Sequence, residues 1–501
     1  MKISLIKSLI GLLLLAWQLP FAAAQSLEAP VQFSILHIND VYEIAPLEEG
    51  KVGGMARVAS LEKRLRSQDP NLYTVLVGDF LSPSVIGTVK LNGERVQGAQ
   101  MVDVMNQVGV DWVVFGNHEF DVKENALQKR LDESEFEWLG GNVRQSRDGN
   151  IQRFKRRGED LPDYTIWEFH NQEQERVRVG VIGLCLDANQ QDYVHYEDVM
   201  QSAEKQYERL KDSVDFCIAM THLSIEEDRE LARRIPDLKL IMGGHEHERH
   251  FEKVGEVPIT KADANAKSAW VHQFRWDGER VTRISYLEEI GPHISIDLSV
   301  ARSVEKWENT AYEAFEQSGL NLDAPVCSLS EPLDGREVSI RTQQTNLGNA
   351  ITQAMHQAAQ DADCAIVNGG SVRIDDFLAG NITEFDLVRA LPFGGSILKV
   401  DMRGSLLIKV LDVGLANRGN GGYLQLHQIH HEDEQWMVAG ETIIPEKTYR
   451  VAISDFLLTG LESGLDFLTP DNPDVIAVIR PGQEDPMRDI RLVLADYLKK
   501  Q

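Results

Sequence analysis

The chain has 501 residues, 43% of them apolar and 7% aromatic, with a formal net charge of −27. That length exceeds one hydrophobic core and predicts two or three domains, and the composition excludes large-scale disorder. So acidic a surface repels nucleic acid polymers and anionic lipid, and a phosphate-bearing substrate must be drawn by a local positive feature such as bound metal.

Residues 1–24 read as a cleaved signal peptide. Lys2 and Lys7 make a basic start, "SLIGLLLLAW" is short for a bilayer span, and Ala22-Ala23-Ala24 before Gln25 is an A-x-A cleavage pattern. The C-terminal "LADYLKKQ" has no apolar tail for a glycolipid anchor. The expectation is a periplasmic or secreted protein with no membrane anchor after cleavage.

From Val31 to about Ile290 short apolar runs alternate with helical patterns. "FSILHI", "LYTVLVGDF", "DWVVFGN", "VRVGVIGL", "VDFCIAMTHL" and "LKLIMGGH" read as strands; "GGMARVASLEKRLRSQ" and "GAQMVDVMNQVG" read as helices. This is an α/β pattern with a sheet buried on both faces, and it places ligands at the strand ends. "SIDLSVARSVEKWENTAYEAFEQSG" is one amphipathic helix pattern ending at Gly319. A second αβ unit follows, and "DIRLVLADYLKK" closes the chain as a helix. The predicted division is 25–295, 296–324 (linker helix), 325–485 and 486–501. Cys185, Cys217, Cys327 and Cys364 are too sparse for a disulfide scaffold; Cys185 and Cys217 sit in strand-like runs, and pairing stays open.

The strand ends carry chemistry. They present Asp40, then Asp79 in "GDF", Asn117, His118 and Asp121 in "GNHEFD", His222 in "THL", and His245 and His247 in "GGHEHE". Each alone is an ordinary turn or a hydrogen-bonded histidine; together, five strand ends deliver oxygen or imidazole donors. Two divalent ions about 3.5–4 Å apart clamp a phosphoryl group and generate hydroxide at neutral pH. Asp79 is the natural bridging carboxylate, Asn117 a neutral ligand, and the imidazoles complete the shells. Oxygen and nitrogen donors without thiolate suit Zn, Mn, Co or Mg. Asp121, three residues after His118, is placed to orient its ring as a general acid or charge stabiliser.

These strings resemble the calcineurin-like metallophosphoesterases, and the second half narrows the resemblance to the 5′-nucleotidase family, over Val31 to Phe467. The resemblance implies an N-terminal αββα sandwich with two divalent metal ions, a linking helix, a C-terminal α/β substrate domain, and domain rotation between open and closed states. It implies a first metal on Asp40, Asp79 and His247 and a second on Asp79, Asn117, His222 and His245, with His118 and Asp121 as the catalytic dyad. It assigns Arg341 to phosphate, Asn368 and Arg373 to base and phosphate contacts, and Phe393 and Phe456 to a nucleobase sandwich. The implied substrate is a small phosphate ester: a 5′-nucleotide or a UDP-sugar. A non-nucleotide ester, or a silent nucleotide-binding protein, is the alternative.

The chain departs from the family pattern twice. The family reads D-x-H where this chain has Asp40-Val41-Tyr42. Tyr42 either ligates as a phenolate, donates a hydrogen bond near the metal, or fills space beside a more open site. "TGLESGLDF" replaces a Gly-Gly-Asp-Gly turn, with Glu462 or Asp466 as the candidate acid. "HQIHHEDE" (His427, His430, His431) reads as a solvated loop. "RGNGGY" (Gly419, Gly421, Gly422) lacks the context of a phosphate loop, and "NIT" at Asn381 is a sequon.

Overall fold

The computed structural model describes residues 30–501 apart from residues 49 and 92, so the expected leader lies outside the described residues. Two six-stranded sheets face each other. The first runs, in spatial order, Val281–Glu289, Ser268–Trp276, Val31–Ile38, Leu72–Val77, Trp112–Val114 and Glu137–Leu139. The second runs Tyr164–His170, Arg176–Cys185, Phe216–His222, Ile241–Gly243, Val257–Lys261 and His250–Val254.

The period-2 alternation of a strand explains why both faces are buried. Along Val31–Ile38, Val31, Phe33 and Ile35 point between the sheets, where they meet Val75, Val179 and Ile218. Leu36 and Ile38 point the other way, into a layer with Val58 and Met101. Phe33 stacks between Phe169 and Phe274, with ring centroids at 4.2 and 4.7 Å. Helices Met55–Gln68, Ala99–Val108 and Leu298–Ser318 cover the first sheet. Val199–Leu210 and Ile225–Arg234 cover the second. The result is the αββα sandwich that the resemblance implied.

The Leu298–Ser318 helix starts where Asp297 accepts from the Ser299 and Val300 amides and stops at Gly319, whose φ of 90° is a left-handed C-cap. Its Val300, Val304, Ala311 and Phe315 sit in the N-terminal core. The C-terminal half is built on a five-stranded sheet: Leu424–His427, Cys364–Asn368, Thr448–Ser454, Ile397–Arg403 and Val475–Ile479. Ala365 and Val367 face Asn346–Ala359 and Ile490–Leu498. Cys364 and Ile366 face Gly404–Ala416. The closing helix is therefore part of the same core as the Asn346–Ala359 helix.

The histidine-rich tract is corrected here. His427 ends one strand, and His430 and His431 lie on the next, Ile429–Glu432, with Gln428 at φ 61° between them. Ile429–Glu432 reads Ile-His-His-Glu and does not alternate, so the pair of short strands broken at Gln428 carried no continuous strand pattern. The rings diverge: His427 meets His356 and His431 meets Trp436. All four cysteines are free thiols, three of them buried. Among the described residues no helix is long and apolar enough to cross a membrane.

Candidate active site

In the first sheet Val31–Ile38, Leu72–Val77 and Trp112–Val114 run parallel; in the second, Phe216–His222 and Ile241–Gly243 do the same. Their C-terminal ends meet at one edge of the sandwich, the usual place for ligands in such sheets. The exits turn sharply. Asp40, Asp79, His245 and His247 all have positive φ, at 52°, 56°, 87° and 60°. Left-handed backbone is uncommon away from glycine, and it clusters where side chains must be aimed.

Asp40, Asp79 and His222 bring ligand atoms within 4.8 Å of one another, all fully buried. His222 Nδ1 lies 2.9 Å from the Val77 carbonyl, which takes its proton and turns Nε2 toward the carboxylates, 3.1 Å from Asp79 Oδ2. The Asn117 Oδ1 is buried without a hydrogen-bond partner. An amide oxygen offers a lone pair, and a buried polar atom left unmatched is costly. A cation is the partner whose chemistry suits that lone pair together with two carboxylates and an imidazole nitrogen aimed at one of them. The residues present therefore fit the metal that this fold implies.

The other predicted ligands stand close by. The His245 ring is 5.5 Å from that of His222, and its amide donates to Asp40 Oδ2 at 2.9 Å. Burial and the neighbouring His222 push its pKa down to about 4, so its ring is neutral. His247 Nε2 is 3.4 Å from Asp40 Oδ1. Burial opposes charge on His247, but Asp375 and Asp40 outweigh it and hold its pKa well above the ordinary value. Burial likewise opposes charge on His222, and Asp79 and Asp40 raise it to about 9.

Tyr42 stands among the ligands. Its hydroxyl lies 2.8 Å from His247 Nε2, 3.2 Å from Asp79 Oδ2 and 3.4 Å from Asp40 Oδ1. These are the three residues expected around the first metal. Burial and the carboxylates of Asp79 and Asp40 push its pKa well above the ordinary phenol value.

His118 sits beside this cluster. Its amide donates to Asp79 Oδ1 at 2.7 Å, and its Nδ1 lies 2.9 Å from Asp121 Oδ2. Burial works against a charged ring, but Asp121 and then Asp79 outweigh it and raise the pKa to about 9. Asp121 also accepts from Arg373, Asn189 and Ser82. Burial opposes its ionisation, but Arg373 and His118 hold it well below the usual carboxylate range.

Sequence reasoning missed several supporting residues. Glu119 accepts the amides of Asp79, Phe80, Leu81 and Gly116 at 2.7–3.1 Å and so pins two ligand loops together. Asn39 donates to Asp40 Oδ2, and Asn265 accepts the amides of Tyr42 and Glu43. Asn189 ties its loop to Asn117 and Asp121. Glu119 and Asn39 adjoin predicted residues and were findable as neighbours; Asn189 and Asn265 carry no sequence signal.

Asn117 and His245 line a cavity of about 1810 Å³ between the two halves of the chain. Arg341, Asn368, Arg373, Phe393 and Phe456 all line it too. Phe393 is 56% exposed and Phe456 40%, so neither is a core residue. Their loops are tied together: the Asp455 amide donates to the Ser396 carbonyl and the Ser396 amide to Asp455 Oδ2. Glu462 lines the cavity and accepts from Asn368 Nδ2 at 2.7 Å; Asp466 is not among the lining residues. Gly419 and Gly421, set aside in sequence, form part of the wall.

Oxygen and imidazole donors gathered at the ends of parallel strands, with half-buried arginines across a cleft, define a metal-dependent phosphoric ester hydrolase. Residues 33–249 match the model for calcineurin-like phosphoesterases and residues 325–468 that for the 5′-nucleotidase C-terminal domain. The chain belongs to the 5′-nucleotidase family assembled from these two parts. It is 26% identical to protein UshA of Yersinia enterocolitica, covering 89% of this chain and 88% of that one. It is 24% identical to the 5′-nucleotidase of Bos taurus, covering 86% and 83%. Its fold is that of a 5′-nucleotidase precursor from Thermus thermophilus, with a TM-score of 0.69 over 94% of this chain and 96% of that one at 23% identity.

Proposed function

We infer that the protein is a periplasmic or secreted dinuclear-metal phosphoesterase that hydrolyses 5′-nucleotides or closely related nucleotides. One observation carries this reading: the unpartnered Asn117 Oδ1, next in the chain to the His118 amide that bonds Asp79, belongs to a residue lining the cleft that also carries Arg341, Arg373, Phe393 and Phe456. In this reading Asp40, Asp79 and His247 hold one cation, and Asp79, Asn117, His222 and His245 the other. When bound, the pair polarises phosphoryl oxygens and lowers the pKa of water.

The chain's own residues do the rest. Arg341 and Arg373 bind phosphate oxygens through charge-assisted hydrogen bonds. Both keep a buried Nε without a partner, so each has a donor to spare. His118 is cationic and held by Asp121 through Nδ1, which leaves Nε2–H to donate to a phosphoryl or leaving-group oxygen. Phe393 and Phe456 offer ring faces to a base, a contact worth about 1–3 kcal/mol per base. Tyr42 donates a hydrogen bond within the first metal site and does not act as a phenolate ligand.

The test is an assay of the purified protein against AMP, UDP-glucose, cyclic nucleotides, sugar phosphates and a chromogenic phosphate ester. Each is run with and without chelator and with added Mn, Co or Zn. Turnover of nucleotides that chelator abolishes supports the reading; hydrolysis of none with any metal refutes it.

A further inference from the structure

The four residues Arg373–Asp376 of the C-terminal half reach across the cleft and touch the N-terminal site at three places. Arg373 pairs with Asp121 and lies 3.0 Å from His118 Nδ1. Asp376 pairs with Lys267 at 2.7 Å. Asp375 meets His247: Nδ1 is 3.0 Å from the Asp375 carbonyl oxygen and 3.2 Å from its Oδ2. Asp375 Oδ1 in turn accepts the Glu337 amide at 2.5 Å, so the carboxylate is fixed from its own side of the cleft.

We propose that Asp375 is a positioning residue for His247, through which the C-terminal half strengthens cation binding when it seats against the N-terminal half. A histidine ligand needs its other nitrogen protonated and oriented, and a carboxylate or carbonyl does both. Within the N-terminal half His222 has such a partner in the Val77 carbonyl. The Nδ1 acceptors of His247, in contrast, come from the other half of the chain. Withdrawal of the C-terminal half removes both at once. By linkage, a cation on His247 then favours the seated arrangement by the same factor that seating favours the cation. The proposal rests on the reading of His247 as a ligand given above.

The test uses the full-length chain and Mn²⁺ alone, with affinity measured by chelator competition and stoichiometry by elemental analysis. Asp375→Asn keeps shape and tolerates the φ of 42° at this position. Its single amide oxygen can serve only one of the two donors that Asp375 meets, the Glu337 amide and His247 Nδ1. Asp375→Gly suits the same backbone, deletes the carboxylate and replaces the first variant if that one fails to fold. Asp376→Asn is the control, since it weakens the same interface without touching a ligand. The expected result is about 10–100-fold weaker binding of one Mn²⁺ in the Asp375 variants, with the control unchanged. Unchanged affinity in the Asp375 variants, or equal weakening in the control, overturns the proposal while leaving the function reading intact. A native protein that binds no Mn²⁺ overturns both.

Discussion

Tyr42 stands where the resemblance leads one to expect a histidine, and its hydroxyl lies among three of the proposed ligands. It fills the space among Asp40, Asp79 and His247, and burial with the two carboxylates favours the protonated phenol. A protonated phenol is a poor ligand, so on the proposed reading a cation there would be held by fewer donors. Tyr42→His restores an imidazole, and metal retained after dialysis against chelator should rise by one equivalent of tighter sites; unchanged content would count against this account. His118 is tested separately. His118→Asn should lower kcat about 10²–10⁴-fold with metal content unchanged, because it removes the proton donor and leaves the proposed ligands alone. Glu43 supplies a pH dependence. Burial raises its pKa from 4.5 to about 7. A raised carboxyl favours its protonated form in the fold, so stability is greatest below the unfolded value of 4.5 and falls as pH climbs toward 7. Full ionisation costs about 3 kcal/mol on this shift. Glu43→Gln should flatten that slope in denaturant melts between about pH 4.5 and 8, and an unaltered slope would exclude Glu43 as its source.

At the scale of elements, the strand exits explain why part of the site was legible in the sequence. A buried parallel strand is a short β-branched run, and the residues just beyond its end face the ligand edge. Asp40, Asp79, Asn117, His222 and His245 each come within three residues of such a run or end it, so local reading reaches them. Asn189 and Asn265 lie farther out, four residues beyond the ends of Arg176–Cys185 and Val257–Lys261, and Asp375 seven beyond Cys364–Asn368. They join the site only through contacts between distant parts of the chain, for example Asn189 to Asp121 and Asp375 to His247, which no local pattern encodes. Gly78 shows how tightly an exit is built. Its φ is 73°, and a Cβ there would lie 2.4 Å from His222 Nδ1 and 2.8 Å from the Gly116 backbone. Gly78→Ala must therefore displace the ring whose Nδ1 bonds the Val77 carbonyl. The expected outcome is loss of bound metal and a destabilisation of about 2 kcal/mol or more, read by elemental analysis and thermal melting. Native metal content in a folded Gly78→Ala protein would show that the exit has slack.

At the scale of the whole molecule, function is divided between two halves with opposite electrostatic tasks. The surface is strongly acidic, yet the cleft presents Arg341 and Arg373 to it from the C-terminal side. On the proposed reading, cations belong to one half and recognition of the rest of the substrate to the other. This division separates two observables. Phe393 and Phe456 stand on loops of the C-terminal half, tied by Asp455 and Ser396, and are not among the proposed metal ligands or their hydrogen-bond partners. Stacking gains about 1–3 kcal/mol per base, or roughly 5–150-fold in binding. A substrate with no base forfeits none of it. Truncating both rings in a Phe393→Ala, Phe456→Ala protein should thus raise KM for AMP by at least about tenfold. The kcat/KM for a small chromogenic phosphate ester should stay within about twofold, because contacts made only by a remote group are lost only with that group. An equal fall for both substrates would mean that the rings shape the cleft itself. No change for AMP would move base recognition elsewhere, with the Glu462–Asn368 pair on the same wall as the next place to look.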